Sequence, residues 1–253
     1  MFDRHFEAFL ADNEPARETH YRLRYQVYCR DQGWEDTLRF PDQMERDEYD
    51  AFSAPFLVRR RRSKGWIATM RLIRMPLEEL PVSRYTRFPP GRLPVTAADR
   101  MVEFSRLCVV KKYRRAPRRR ISGEMPTLRE PRDPDDSFLA SGYRTSESWI
   151  FLGLIRAGWQ WSVENDIGYW MFFIADALAR VIQRSGFGIE PMGDEVEHRG
   201  LRRPYLVDLE RSMAKMVRED KVPEVAEMFR HHSAYREFSE LHEASMGVRR
   251  GPR

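Results

Sequence analysis

Among the four carboxylates of "MERDEYDAF", Glu45, Asp47 and Asp50 stand out. Arg24 and Trp34 lie upstream, and Arg71 and the run "EFSR" (Glu103 to Arg106) lie downstream. Acids and arginines drawn from separate segments can meet in one cleft and there hold an amine-bearing substrate by charge-assisted hydrogen bonds. A carboxylate in such a cleft, directly or through water, can also accept the proton that an amine must lose to become a nucleophile. Charge counting by itself favours a plainer reading, a set of solvated ion pairs on a surface.

"EFSR" also opens "EFSRLCVVKKYRRAPRRR" (103–120), which joins a carboxylate, an alternating apolar run and a dense basic cluster. It reads either as a strand leading into an anion-binding turn or as a nucleic-acid-binding or merely solvated basic surface. The 253 residues carry 44 Lys+Arg against 39 Asp+Glu, so the net charge is only +5. A dedicated nucleic-acid binder is usually more lopsided. No GxGxxG follows a strand, and there is no P-loop, no HExxH and no pair of CxxC motifs, so dinucleotide, nucleotide and zinc chemistry lack sequence support. His198, His231, His232 and His242 are scattered and read as surface or core residues. Two cysteines, Cys29 and Cys108, and the lack of a charged-then-apolar leader suit a reducing cytoplasm.

The elements around these residues follow from periodicity. Residues 5–34 predict a polar helical start, then Leu23, Val27 and Tyr28 on a helical face that ends near Gly33. Phe56, Val58, Ile67, Thr69 and Leu72 flank a turn at Ser63 to Gly65 and predict a hairpin, and Glu103 to Val110 predicts a strand. Residues 120–147, rich in Pro, Gly and charge, predict a polar insertion, and 246–253 a disordered tail. "WIFLGLIRAGWQWSVEND" predicts a helix over 149–165, too short and polar to span a membrane, with Arg156, Gln160 and Glu164 on one stripe. A strand at Tyr169–Ile174, a helix at Asp176–Ser185, an extended segment at Gly188–Met192, a strand near Tyr205–Asp208 and a helix from Leu209 complete a mixed α/β order. One domain over 1–245 is the expected organisation.

The order "RYQVYCRDQGW", "ERDEYD", "TMRLI", "EFSR" resembles the acyl-homoserine-lactone synthase superfamily, whose pattern is Arg-x3-aromatic, Trp, Glu-x-Asp-x-x-Asp, Arg on a strand, and Glu-x-Ser-Arg. Arg24, Tyr28, Trp34, Glu45, Asp47, Asp50, Arg71, Glu103 and Arg106 stand at the matching positions. The second half, "GLIRAGWQWSVENDIGYW", "ADALARVIQRSGF" and "EPMGDEVEHRGLRRPYLVDL", is similar to the N-acyl amino acid synthases and to the acyltransferases of the exosortase (PEP-CTERM) protein-sorting system. The resemblance covers roughly residues 20 to 220. It implies an acetyltransferase-like (GNAT) fold, with a mixed central sheet, a splayed central strand and flanking helices.

It also implies transfer of a fatty acyl group from an acyl carrier protein thioester to a small-molecule amine, with no tightly bound cofactor and an acyl-phosphopantetheine thioester as donor, acyl-CoA being the alternative to the carrier protein. In such a fold the backbone near Leu107, Cys108 and Val109 would hold the thioester carbonyl and its oxyanion. Lys111, Lys112, Arg114, Arg115, Arg118 and Arg119 would face the donor phosphate or acidic carrier-protein helices. The Gly-rich pyrophosphate loop of acetyl-CoA-dependent relatives is replaced here by Ala116-Pro117 and arginines, which points to side-chain phosphate binding. Glu45 is the first choice of base and Glu103 the second; Asp47 and Asp50 would orient Arg24, Arg71 or the amine, and Arg106 would brace them. Neither cysteine has a His-Asp set nearby, so direct transfer is expected over an acyl-enzyme. The apolar acyl slot is expected among Trp149, Phe151, Leu152, Trp159, Trp170, Phe172 and Phe173. An autoinducer synthase using S-adenosylmethionine is the nearest alternative, and a non-enzymatic basic binding module a more distant one.

Overall fold

Alternation along strand β4 (Met101–Val109) sets the two sides of the sheet. Val102 and Phe104 belong to one apolar core, whereas Met101 belongs to another, together with the turn that meets Glu103. The computed structural model describes residues 2–88, 91–94, 97, 99–113, 146–184, 186–219, 223–230 and 233–241. Among these, β1 (Phe6–Leu10), β2 (Ser53–Arg60), β3 (Trp66–Ile73), β4, β5 (Tyr169–Ile174), β6 (Ile189–Pro191), β8 (Leu201–Asp208) and β9 (Arg236–Glu237) form one mixed sheet. Its order is β6-β8-β5-β4-β3-β2-β1-β9, with β7 (Val196–Glu197) paired to β8. The β4–β5 and β1–β9 pairs are parallel and the rest antiparallel.

Helix α2 (Glu14–Arg24) follows a short N-terminal helical turn, α1 (Phe2–His5), and covers one face of the sheet. It begins where the Asn13 side chain accepts from Ala16 N at 3.1 Å. Helix α3 (Ser146–Glu164) covers the other face with Ile150, Leu154, Ile155 and Ala157 against Phe56, Met70, Leu72, Phe104 and Trp170. Gly158 allows the close approach, since a Cβ there would lie 2.7 Å from Met70 Cε. The remaining helices, α4 (Asp176–Arg184), α5 (Leu209–Glu219) and α6 (Pro223–Arg230), follow in the second half.

One sequence expectation changes. The polar helical start is instead strand β1, because Ala8 and Phe9 pair with Val58 and Leu57 while Glu7 meets Arg59 across the ladder. Tertiary pairing here overrides the helix-forming composition of "FEAFLA". The expected polar stripe of α3 is present and finds partners: Arg156 is buried and held by Asp3, at 2.5 Å and 2.8 Å, and Gln160 accepts from Ala234 N. The strands and helices expected after residue 148 occur within a few residues of their expected bounds. The insertion up to residue 145 and the tail lie outside the described residues.

β4 and β5 pair only from Met101↔Tyr169 to Phe104↔Phe172; beyond that, β4 runs to Val109 and β5 to Ile174 without further pairing to each other. The β3–β4 register shifts between Thr69 and Arg71, and Arg106 adopts φ +52°. That combination is a bulge, which bends β4 away from β5 and re-aims the side chains beside it. The central sheet therefore opens into a V at Ser105.

Burial separates the tryptophans. Trp170 is 0% exposed and donates from Nε1 to Ser162 Oγ at 2.9 Å, whereas Trp34 is 43% exposed. Trp170→Ala is expected to cost about 3–5 kcal/mol in chemical unfolding and Trp34→Ala less than about 1 kcal/mol. Equal losses would contradict this placement of the core.

Candidate active site

The chain leaves α2 through a π-helical turn, Tyr25–Asp31, a form often found at functional sites. It ends at Gly33, whose φ of +64° lets Trp34 N turn back to donate to Tyr28 O at 2.8 Å. Trp34 thereby stacks on Tyr28 at 5.7 Å, and the Tyr28 hydroxyl donates to Leu107 O of β4 at 2.9 Å.

The spacing of "DEYD" is a local device. Asp47 caps the 3₁₀ turn Glu48–Phe52 by accepting from Tyr49 N, and Asp50 accepts in return from Asp47 N at 2.8 Å. The pair then presents carboxylate oxygens to two buried arginines. Arg71 donates from Nη1 to Asp47 at 2.6 Å and to Asp50 at 2.5 Å, and from Nη2 to Asp47 at 2.7 Å. Arg24, 0% exposed, donates from Nε to Glu45 and from Nη1 to Asp50 at 2.5 Å. Arg106 closes the cluster from β4, reaching Asp47 at 2.9 Å and Glu45 at 3.1 Å.

Behind it His20 is fully buried. Thr69 Oγ1 donates to Phe56 O and so accepts from His20 Nδ1, leaving His20 Nε2 to accept from Arg24 Nη1 at 3.0 Å. Burial, and then the positive field of Arg24 and Arg71, hold the imidazole well below its usual pKa. His20 therefore serves as a neutral acceptor.

The two glutamates have opposite environments. Burial alone would raise Glu45, but Arg24 and Arg106 outweigh it and its pKa is lowered. Asp47 is likewise held at about 2, with Arg71 overcoming its burial. Glu103 forms no ion pair with a described residue and accepts from Val82 N at 2.8 Å. Burial pushes it up to about 7, against the lowering pull of that N–H, Arg71 and Arg106.

A cleft of about 510 Å³ runs through the V between β4 and β5. Tyr28, Trp34, Glu45, Asp47, Arg71, Glu103 and Arg106 line its polar side, and Phe104, Phe151, Phe172, Ile174 and Leu178 its apolar side. Arg24 and Asp50 stand behind the polar wall, bonded to it. Leu107 lines the cleft, while Cys108 and Val109 are buried farther along β4, and Lys111 and Lys112 are exposed in the turn that follows. Arg114, Arg115, Arg118 and Arg119 lie outside the described residues. Of the aromatic and apolar residues expected to form a slot, Phe151, Phe172 and Phe173 reach the cleft; Trp149, Leu152 and Trp170 pack in the core and Trp159 packs on Phe229. No three described His, Cys, Asp or Glu side chains converge to hold a metal ion.

Sequence reasoning missed Glu35, Tyr49, Tyr85, His198, Arg199 and Arg202, which also line the cleft. His198 packs on Tyr85 at 4.3 Å rather than standing alone. The one signal was "EHRGLRR", a basic turn ahead of a strand.

Residues 23–121 match the acetyltransferase (GNAT) domain model. Comparison with curated proteins gives no significant match. Among solved structures, the chain is similar to BjaI, a CoA-dependent acyl-homoserine lactone synthase, at 17% identity over 98% of this chain and 94% of that one, with a TM-score of 0.57. It is also similar to MesI, another CoA-dependent acyl-homoserine lactone synthase, at 16% identity over 85% and 94% with a TM-score of 0.52. FeeM, an N-acyl amino acid synthase from uncultured soil microbes, aligns at 10% identity over 83% and 94%, also with a TM-score of 0.52. The domain match, the sheet that opens between β4 and β5, and these likenesses establish that the chain has the GNAT-type acyltransferase fold of the acyl-homoserine lactone and N-acyl amino acid synthases.

Proposed function

We propose that the protein is an N-acyltransferase that moves a fatty acyl group from an acyl-phosphopantetheine thioester, carried by acyl carrier protein, to the amine of an amino acid or related small molecule. The observation that carries this reading is Glu103, a buried carboxylate with a pKa of about 7 beside an apolar slot in the open sheet. The amine nitrogen attacks the thioester carbonyl carbon, and Glu103 takes the proton that the nitrogen sheds. The backbone of Leu107 to Val109, past the last β4–β5 pair, offers N–H groups to the oxyanion. The C–S bond then breaks and the thiolate leaves with a proton returned from Glu103. Glu45, Asp47 and Asp50 are occupied with Arg24, Arg71 and Arg106, so they shape the wall rather than move protons. Exposed Lys111 and Lys112 at the end of β4 would meet the donor phosphate or an acidic carrier.

The resemblance of the second half to N-acyl amino acid synthases and exosortase-associated acyltransferases favours a linear N-acyl product. The likeness in fold to BjaI and the Arg24–Tyr28–Trp34 pattern support a second reading, autoinducer synthesis from S-adenosylmethionine. Mass spectrometry of products from purified enzyme, acyl carrier protein thioester and either acceptor separates the two. Transfer to neither acceptor, from carrier protein or CoA, would remove the acyltransferase reading.

Glu103→Gln is expected to lower acyl transfer by about 10²-fold or more and to abolish a kcat/KM limb that rises through pH 7. Retention of the limb would exclude Glu103 as the base. The same group links stability to pH. Its folded pKa lies above the unfolded carboxylate value near 4.5, so the folded state binds the proton more tightly. Its contribution is fully present below about pH 4.5 and is lost as pH rises through about 7. The wild type should lose up to about 3 kcal/mol relative to Glu103→Gln across that window, measured by urea unfolding. Parallel pH profiles would contradict the raised pKa.

Each methylene that enters the apolar side of the cleft contributes about 0.8 kcal/mol, so donor preference should rise steeply with chain length until the slot is filled. Leu178→Trp is expected to shorten the preferred chain and Phe172→Ala to lengthen it, in a series of thioesters. Variants that change stability without moving that preference would displace the acyl slot from this site.

A further inference from the structure

Most arginines that line the cleft answer to a carboxylate. Arg39 and Arg199 pair with Glu35, Arg46 with Asp42, Arg84 with Glu48, Arg71 with Asp47 and Asp50, and Arg106 with Glu45 and Asp47. Arg202 has no carboxylate partner among the described residues. Its Nε donates to His198 O at 2.8 Å and its guanidinium rests on the Trp34 ring at 6.0 Å, and in the lining of the cleft its terminal amino groups have no hydrogen-bond partner among the described residues. Burial, then repulsion from Arg199, lowers its pKa, whereas Glu45 and other carboxylates raise that of Arg106. A half-buried cation left in this state is costly unless an anion joins it.

The position is built rather than incidental. Arg199 and Gly200, at φ +54° and +92°, make the tight turn between β7 and β8, and Gly200 N donates to Glu197 Oε1 at 3.0 Å. Arg199 is anchored to Glu35 at 2.5 Å. Alternation along β8 puts Arg202 on the same side of the sheet as Leu206, which packs in one core with Met101 and Met171, the face that also carries Glu103; Tyr205 and Val207 belong to the opposite, α3-covered core. Arg202 and Glu103 thus share a face, and the acyl slot opens toward the other.

We propose that Arg202 receives the carboxylate of the acceptor, so that the acceptor is an amino acid or another amine bearing a carboxylate, rather than a plain amine. This deepens the acyltransferase reading above and rests on it. With the amine at Glu103 and the carboxylate turned to Arg202, the nitrogen is presented toward the apolar slot where the thioester enters. A bidentate guanidinium–carboxylate contact supplies the selectivity.

The test compares an amino acid with its own primary amide as acceptors, using wild type and Arg202→Gln. Wild type should favour the acid in kcat/KM by about tenfold or more, the usual scale for a hydrogen-bonded charge pair, and Arg202→Gln should collapse that ratio toward one, with Arg202→Lys intermediate. Use of the amide as readily as the acid by wild type overturns the proposal. So does a loss in Arg202→Gln that falls on the KM of the thioester donor, which would assign Arg202 to the donor's phosphate. A second readout needs no turnover: calorimetric binding of an N-acyl amino acid and of its primary amide. Acid-selective binding that vanishes in Arg202→Gln upholds the carboxylate site even where no acyl transfer is seen, in which case the acyltransferase reading alone fails. Equal binding of acid and amide, or binding of neither, overturns the site.

Discussion

Burial of Arg24 is the constraint from which the rest of the site follows. A guanidinium with no solvent exposure has to recover its lost hydration from fixed partners, and an uncompensated one would cost several kcal/mol. Glu45 and Asp50 supply charge, and His20 supplies a neutral acceptor that is itself held by Thr69. Arg71 then shares Asp50 and adds Asp47, and Arg106 shares Asp47 and Glu45. The helix α2, the capped turn at 47–50, β3 and β4 are locked together by that single network.

The network also sets the carboxylates apart electrostatically. A carboxylate already bonded to two arginines is a weak base, because its charge is stabilised where it stands. Glu45 and Asp47 are of this kind. Glu103 stands on β4 three residues before Arg106, likewise buried but met by a backbone N–H instead of a guanidinium. Desolvation then dominates and pushes it up to about 7. The bulge at Arg106 acts on the same strand by opening the sheet, so that Glu103 on one face and the aromatic side chains on the other reach a common space.

What the sequence disclosed and what it withheld divide by range. Asp47 and Asp50 were legible because their spacing is a local capping device, and the hairpin at 53–73 because alternation is local as well. Strand β1 was hidden because "FEAFLA" suits a helix until β2 offers a ladder some fifty positions away. The stripe of Arg156, Gln160 and Glu164 was read correctly as a stripe, but its partners, Asp3 and the segment at Ala234 and Tyr235, come from opposite ends of the chain. The electrostatic difference between Glu45 and Glu103 is not written in the sequence, since both are glutamates in charged runs. The number of arginines within reach of each is a property of packing alone.

The same reasoning explains why Arg202 was invisible beforehand. In "HRGLRRPYL" it is one of three arginines, and composition gives no reason to separate them. Folding does: Arg199 turns to Glu35, Arg203 approaches Asp176 and Glu195, and Arg202 is left against Trp34 with its remaining donors unspent. Holding a cation without a carboxylate partner among the described residues and a desolvated carboxyl group in one partly dry cleft costs stability, and such local costs concentrate where function requires them. An acceptor with a carboxylate for the first and an amine for the ionised form of the second would relieve both, so the features least favourable to the empty fold are those that the proposed acceptor would meet.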